Sequence, residues 1–101
     1  MSKQYNNFSD FYPFYLSQHA NKVCRRLHFV GSCLILLLIT YVALFGGLAL
    51  LWFIPVIGYG FAWVGHFIFE KNRPATFIYP IYSLLGDWVM FKDMLMGKIK
   101  F

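Results

Sequence analysis

Apolar positions fall into three long runs separated by short polar stretches: Lys22 to Phe45, Leu48 to Phe69, and Pro74 to Phe91. The first run holds 24 residues. At 1.5 Å per residue that is roughly 36 Å of helix, enough to cross a bilayer. Asn21 is placed to cap it. Gly46-Gly47 then interrupts the pattern and offers the permissive backbone of a tight turn. The 22 residues that follow make a second, antiparallel span. Pro55 removes one of its backbone hydrogen bonds and is expected to kink it.

Upstream, residues 1–8 read as a frayed polar end, and Ser9 or Asp10 can cap a helix over 10–20 with Pro13 in its opening turn. Phe11, Phe14 and Tyr15 share a stripe beside Tyr12 and Leu16, so this helix suits the headgroup boundary and is too short to span. The third run carries Pro80, Gly86 and Asp87. A single pass through the membrane would put the tail Lys92 to Lys100 opposite the other basic clusters, so a break near Tyr79-Pro80 and a re-entrant or interfacial segment are favoured over a third span. The expected fold is all-α and integral to the membrane. It is one domain over 1–101, with an amphipathic helix at 10–20, a transmembrane hairpin of 22–45 and 48–69, and a third, Pro-broken segment at 74–96.

Composition strengthens this picture. Hydrophobic residues make up 59% of the chain and charged residues 13%, against roughly 45–50% and about 25% in soluble domains. Aromatic residues at 22% exclude disorder. The net charge of +5 sits in three clusters beside the apolar runs, Lys22/Arg25/Arg26, Lys71/Arg73 and Lys92/Lys98/Lys100. That placement reads as membrane orientation, with these clusters cytoplasmic, and not as nucleic-acid binding. Cys24 and Cys33 are out of phase on one helix and are expected to be free thiols. The amino terminus lacks the build of a secretory signal, so the first apolar run is expected to remain in the mature protein.

Candidate chemistry is concentrated in three histidines. His19 ends the boundary helix, His28 lies early in the first span and His66 late in the second. Antiparallel spans bring all three to one side, the cytoplasmic one. Gly58, Ala62, His66 and Glu70 share one helix face, and Cys24, His28, Gly31/Ser32 and Ile35 another, with small residues that permit close approach. Two or three imidazoles with the Glu70 carboxylate suit a divalent metal such as Fe(II), with positions left for oxygen and substrate. A lone interfacial histidine is more often a boundary residue than a ligand, and the spacings match no standard zinc motif. The serines lack a nucleophile elbow and the glycines form no phosphate loop. Asp87, an acid in an apolar stretch, is read as paired with Arg73 or Lys92 near the interface.

The stretch Phe14 to Asn21, followed by Arg26 to Gly31, and the block Trp63-Val64-Gly65-His66-Phe67-Ile68-Phe69-Glu70-Lys71-Asn72-Arg73-Pro74-Ala75 resemble the small membrane proteins grouped with the fungal 2-hydroxy fatty acid dioxygenase. The resemblance covers nearly the whole chain, and its tail looks like that of the short bacterial members. It implies an Fe(II)-dependent oxygenase that shortens 2-hydroxy fatty acids by one carbon with O2. His19, His28 and His66 would be metal ligands, with Glu70 as a further candidate, and Arg25, Arg26 or Arg73 would hold the substrate carboxylate. It also implies residence in membrane lipid, in the bacterial inner membrane, with the metal near the cytoplasmic face; homo-oligomers are left open. The competing reading is a non-catalytic membrane scaffold or interaction subunit whose histidines tolerate substitution.

Overall fold

The computed structural model describes residues 5–101, and every regular element among them is helical. Expectations for residues 1–4 lie outside the described residues. Tyr5 is packed and not frayed: its ring stacks on Phe14 at 5.2 Å and its N–H donates to the Tyr79 hydroxyl at 3.3 Å.

Helix α1 is Phe8–Ser17 and starts earlier than the sequence suggested. Asn7, not Ser9 or Asp10, is the cap: its Oδ1 accepts from the Asp10 N–H at 2.8 Å, which leaves Asp10 in the first turn, where a carboxylate favours the helix dipole. Pro13 therefore lies beyond the opening turn. It is tolerated because this face is exposed and water can serve the orphaned carbonyl. Helix α2 is Lys22–Phe45, capped by Asn21, whose Oδ1 accepts from Val23 N at 2.8 Å and Cys24 N at 3.2 Å.

Gly46 and Gly47, at φ of 84° and 93°, make the turn into α3, Leu48–Glu70. This helix changes pitch along its length. It opens as a 3-10 turn over Leu48–Trp52, is regular over Phe53–Val64 and ends as a π turn over Gly65–Glu70. Pro55 falls in the first turn of the regular segment, where a ring and a missing donor are tolerated. A 3-10 turn at Ala75–Phe77 leads to α4, Pro80–Leu95, which starts at the break expected near Pro80.

The helices α2 and α3 pair along a seam of small residues. A Cβ on Gly31 would stand 3.1 Å from Phe61 Cβ, and one on Gly65 only 2.9 Å from Cys24 Sγ. Those gaps are filled by backbone approach. The α1 and α4 helices form a second layer across the end where α2 begins and α3 stops. Phe11, Tyr15, Tyr79, Met90 and Met94 bury their side chains there, each worth about 1.5–3 kcal/mol of apolar burial. Contacts run along the pair: Phe8 to Tyr82, the Tyr15 hydroxyl to Asp87, and the Tyr12 hydroxyl to Asp93 at 2.8 Å. The tail then returns to α2, where Arg26 Nε donates to the Phe101 main-chain oxygen at 3.0 Å. All three basic clusters therefore share one end of the molecule. With 16 residues, α4 is not among the two helices long and apolar enough to cross a membrane.

Candidate metal centre

The three histidines come from three different elements and meet in the interior. His19 sits in the link after α1, His28 one turn beyond Cys24 in α2, and His66 in the π turn of α3; all are buried. Ring centroids are 4.5 Å apart for His19 and His28, 4.4 Å for His19 and His66, and 5.2 Å for His28 and His66. A π turn places one extra residue in the coil and re-aims the side chains that follow, a device often found at functional sites. Here it carries His66, and Gly65 beside it lets α3 touch α2.

Hydrogen bonds fix the tautomers. His19 Nδ1 lies 2.7 Å from Tyr15 O, His28 Nδ1 2.9 Å from Cys24 O, and His66 Nδ1 2.7 Å from Asn72 Oδ1. Backbone carbonyls only accept, so the first two Nδ1 atoms carry the hydrogen. The Asn72 amide is oriented by its NH2 group, which donates to Gln18 O at 3.1 Å and Gln18 Oε1 at 3.2 Å, so its oxygen faces His66. Each imidazole is thus left with a bare Nε2. The Nε2 atoms of His19 and His28 stand 3.1 Å apart, and with both hydrogens committed elsewhere this is a contact between two lone pairs.

A cation between them resolves that contact. Burial, reinforced by His28 and His66, holds the His19 imidazole well below its usual 6.5, so a shared proton is disfavoured and a metal ion fits. Two nitrogens each about 2.1 Å from one ion are about 3.0 Å apart at a right angle and about 3.4 Å apart in a tetrahedron. The donor set suits a divalent transition metal, and the carbonyl and amide acceptors behind the rings are the partners that orient such ligands.

Cys24 completes the group. Its thiol and the three histidines offer donor atoms all within 4.8 Å of one another. The thiol meets His28 from the Nδ1 side, at 3.8 Å. The sequence put Cys24 on the His28 face but gave it no role; Asn72, in a polar loop beyond the helix, left no periodic signal at all. Cys24 and Cys33 are both free thiols.

Glu70 stands outside this group. Its carboxylate accepts from the Asn21 N–H, joining the end of α3 to the cap of α2. The arginines are also elsewhere. Arg25 donates to the His19 and Ala20 carbonyls at 3.0 and 2.7 Å, Arg26 lies over the Phe101 ring, and Arg73 is exposed. None of them lines the cavity that opens beside the histidines. That cavity holds about 360 Å³, within the roughly 300–1,000 Å³ of small-molecule sites. Its walls are mainly apolar, with Ile35, Ile54, Pro55 and Leu84 away from the histidines. Asp87 lines it too, and takes the Tyr15 hydroxyl as hydrogen-bond donor in place of the expected Arg73 or Lys92. Tyr15 in turn stacks on His19 with centroids 4.0 Å apart. Burial pushes the Asp87 carboxyl up to about 6, against the opposing pull of the Tyr15 hydrogen bond.

Residues 5–99 match the model of the Mpo1-like family, described as 2-hydroxy-palmitic acid dioxygenase Mpo1-like. The chain belongs to that family. The match spans the histidine and Pro-Ala blocks on which the resemblance rested, together with α4. No curated protein and no solved structure matches the chain.

Proposed function

We propose that the protein is a membrane-embedded, Fe(II)-dependent dioxygenase that shortens 2-hydroxy fatty acids by one carbon. The observation that carries this reading is the convergence of three buried imidazoles with bare Nε2 atoms beside an apolar cavity, in a chain of the Mpo1-like family. His19, His28 and His66 hold the iron, and Cys24 and Asn72 support it from behind. Bound iron would supply Lewis-acid polarisation of the 2-hydroxy acid and the redox chemistry with O2. The reaction balances without a further reductant: a 2-hydroxy acid and O2 give the acid one carbon shorter, carbon dioxide and water.

The chain's own residues bind and orient. The apolar wall takes the acyl chain, the buried histidine end excludes water, and with no Lys or Arg on the cavity wall among the described residues the metal would be the counter-charge for the substrate carboxylate. Large apolar side chains point outward from the hairpin, with Leu37 65%, Phe45 73% and Trp52 81% exposed, and lipid is the solvent that suits them. The long axis of 43 Å is comparable to a bilayer with its headgroups, about 40–45 Å. With the basic clusters at one end, the iron lies near the cytoplasmic face of the inner membrane and α1 and α4 lie at that interface.

Anaerobically purified protein is expected to carry iron, and His66→Ala to lose both iron and O2-dependent conversion of 2-hydroxyhexadecanoate to pentadecanoate. Normal iron and turnover in His19→Ala, His28→Ala and His66→Ala, or no iron in the wild type, would replace this reading with the non-catalytic scaffold.

A further inference from the structure

Two polar groups on α4 face the cavity without a role in holding metal. Ser83 is 5% exposed, lines the cavity, and its hydroxyl is buried with no hydrogen-bond partner. A hydroxyl left bare in an interior costs about 1–3 kcal/mol unless something meets it. Asp87, one helical turn further on, lines the same cavity. Tyr15 donates to its Oδ1, and among the described residues no hydrogen bond engages Oδ2. Gly86 makes this arrangement possible: a Cβ there would stand 2.8 Å from the Tyr15 ring, so only glycine lets α4 come close enough for the adjacent Asp87 to reach that hydroxyl.

Resting on the proposed function, we infer that Ser83 and Asp87 form the subsite that recognises the 2-hydroxyl group of the substrate. The chemistry selects a hydroxyl over a carboxylate. An anion placed against Asp87 would be repelled, and among the described residues no Lys or Arg lines the cavity to offset it. A hydroxyl donates to the half-buried Asp87 carboxylate and accepts from the buried Ser83, so both groups are satisfied at once. Tyr15 ties this subsite to the metal end, since its ring lies on His19 while its hydroxyl meets Asp87. The substrate carboxylate then falls toward the metal that the three Nε2 atoms would hold, and the acyl chain toward Ile35 and Ile54. A site built to bond a hydroxyl discriminates strongly against the analogue lacking it, because its own buried polar groups are left unpaired.

Binding can be read without turnover, because Trp63 and Trp88 line the cavity and report occupancy by fluorescence quenching. Iron-loaded protein held under argon is titrated with 2-hydroxyhexadecanoate and with hexadecanoate, and iron content is measured for each variant. Wild type is expected to prefer the 2-hydroxy acid by at least about tenfold. Asp87→Asn should weaken 2-hydroxyhexadecanoate roughly 10–100-fold, the usual worth of a hydrogen bond to a charged group. Hexadecanoate affinity and iron content should stay near the wild-type values. Ser83→Ala, a milder change that decides the matter if Asp87→Asn does not fold, should reduce the preference about 3–10-fold. A wild-type preference kept intact in both variants overturns the subsite and leaves the dioxygenase reading standing. Equal binding of the two acids by the wild type has the same consequence. Iron-loaded wild type that binds neither acid removes the fatty-acid reading, and this inference with it.

Discussion

The two ends of the helical hairpin are built on opposite principles. At the end where α2 begins and α3 stops, a second layer of α1 and α4 covers the seam, and Phe11, Tyr15, His19, Cys24 and Met90 are at most 1% exposed. At the other end, from Leu36 through the Gly46-Gly47 turn to Phe53, only Val42 is buried. Among the described residues nothing covers the rest. The packed end is the more polar in sequence, with the basic clusters and Glu70, and the exposed end the more apolar, so hydrophobicity alone does not say which end is buried. The difference lies in what surrounds the side chains: protein packing at one end, with fixed partners for polar groups, and an uncovered apolar surface at the other, which under the proposed reading faces lipid that can solvate leucine but cannot hold an imidazole in one orientation. A site that needs three aimed nitrogens belongs at the packed end.

Exchanging a residue at each end sharpens the contrast most. His28→Ala should reduce iron retention to background, while Leu37→Ala, on the exposed wall of the far end, should keep full iron and change stability by no more than about 0.5 kcal/mol. Equal loss from both would mean that the far end is as tightly built as the site.

Asp87 offers a test of the packed end by pH. Its carboxyl rises from 3.8 to about 6 on burial, a difference of about 3 kcal/mol. A raised acid favours the folded state fully below its unfolded value and loses that contribution as pH climbs through the folded one. Tyr15, His19, His28 and His66 share the cavity wall with it, and His19 acts with the opposite sign, losing stability as pH falls. Subtracting the Asp87→Asn profile from the wild-type profile, by thermal unfolding of chelator-treated protein in detergent, cancels the histidines to first order. The difference should decline by about 3 kcal/mol between about pH 4 and pH 6.5. A flat difference would show that Asp87 is hydrated.

The seam is tested by neighbouring residues. Gly65→Leu forces a side chain against Cys24, and should cost about 1–3 kcal/mol or more and lower iron content. Val64→Leu, on an exposed face, should change neither. Similar behaviour of the two would place Gly65 away from the seam.

The smallest expected effect concerns Glu70. Because its carboxylate holds the Asn21 N–H, Glu70→Gln should cost about 1 kcal/mol of stability and leave iron affinity within about threefold. Asn72→Ala, which removes the acceptor behind His66, should weaken iron about 10–100-fold. Reversed outcomes would make Glu70 a ligand and Asn72 a bystander.

Periodicity and composition by themselves determined the helical class, two helices long and apolar enough to cross a bilayer, and the Gly-Gly turn between them, because each depends on local spacing or on the length of an apolar run. The cap of α1 was misread because Asn7, Ser9 and Asp10 compete for the same orphan N–H groups, and only the packing of Tyr5 and Phe8 against α4 decides among them. The contacts of Glu70 with the Asn21 N–H and of Arg25 with the His19 and Ala20 carbonyls are not legible in sequence, where charge beside a histidine is indistinguishable from charge that binds a backbone. Tertiary structure alone decided where the hydrogen bonds go. The π turn that aims His66, the Asn72 amide behind it, the thiol of Cys24 beside His28 and the Tyr15–Asp87 contact join residues from separate elements. Their distances are set by how closely α2, α3 and α4 approach at Gly31, Gly65 and Gly86, and no window along the chain contains that quantity.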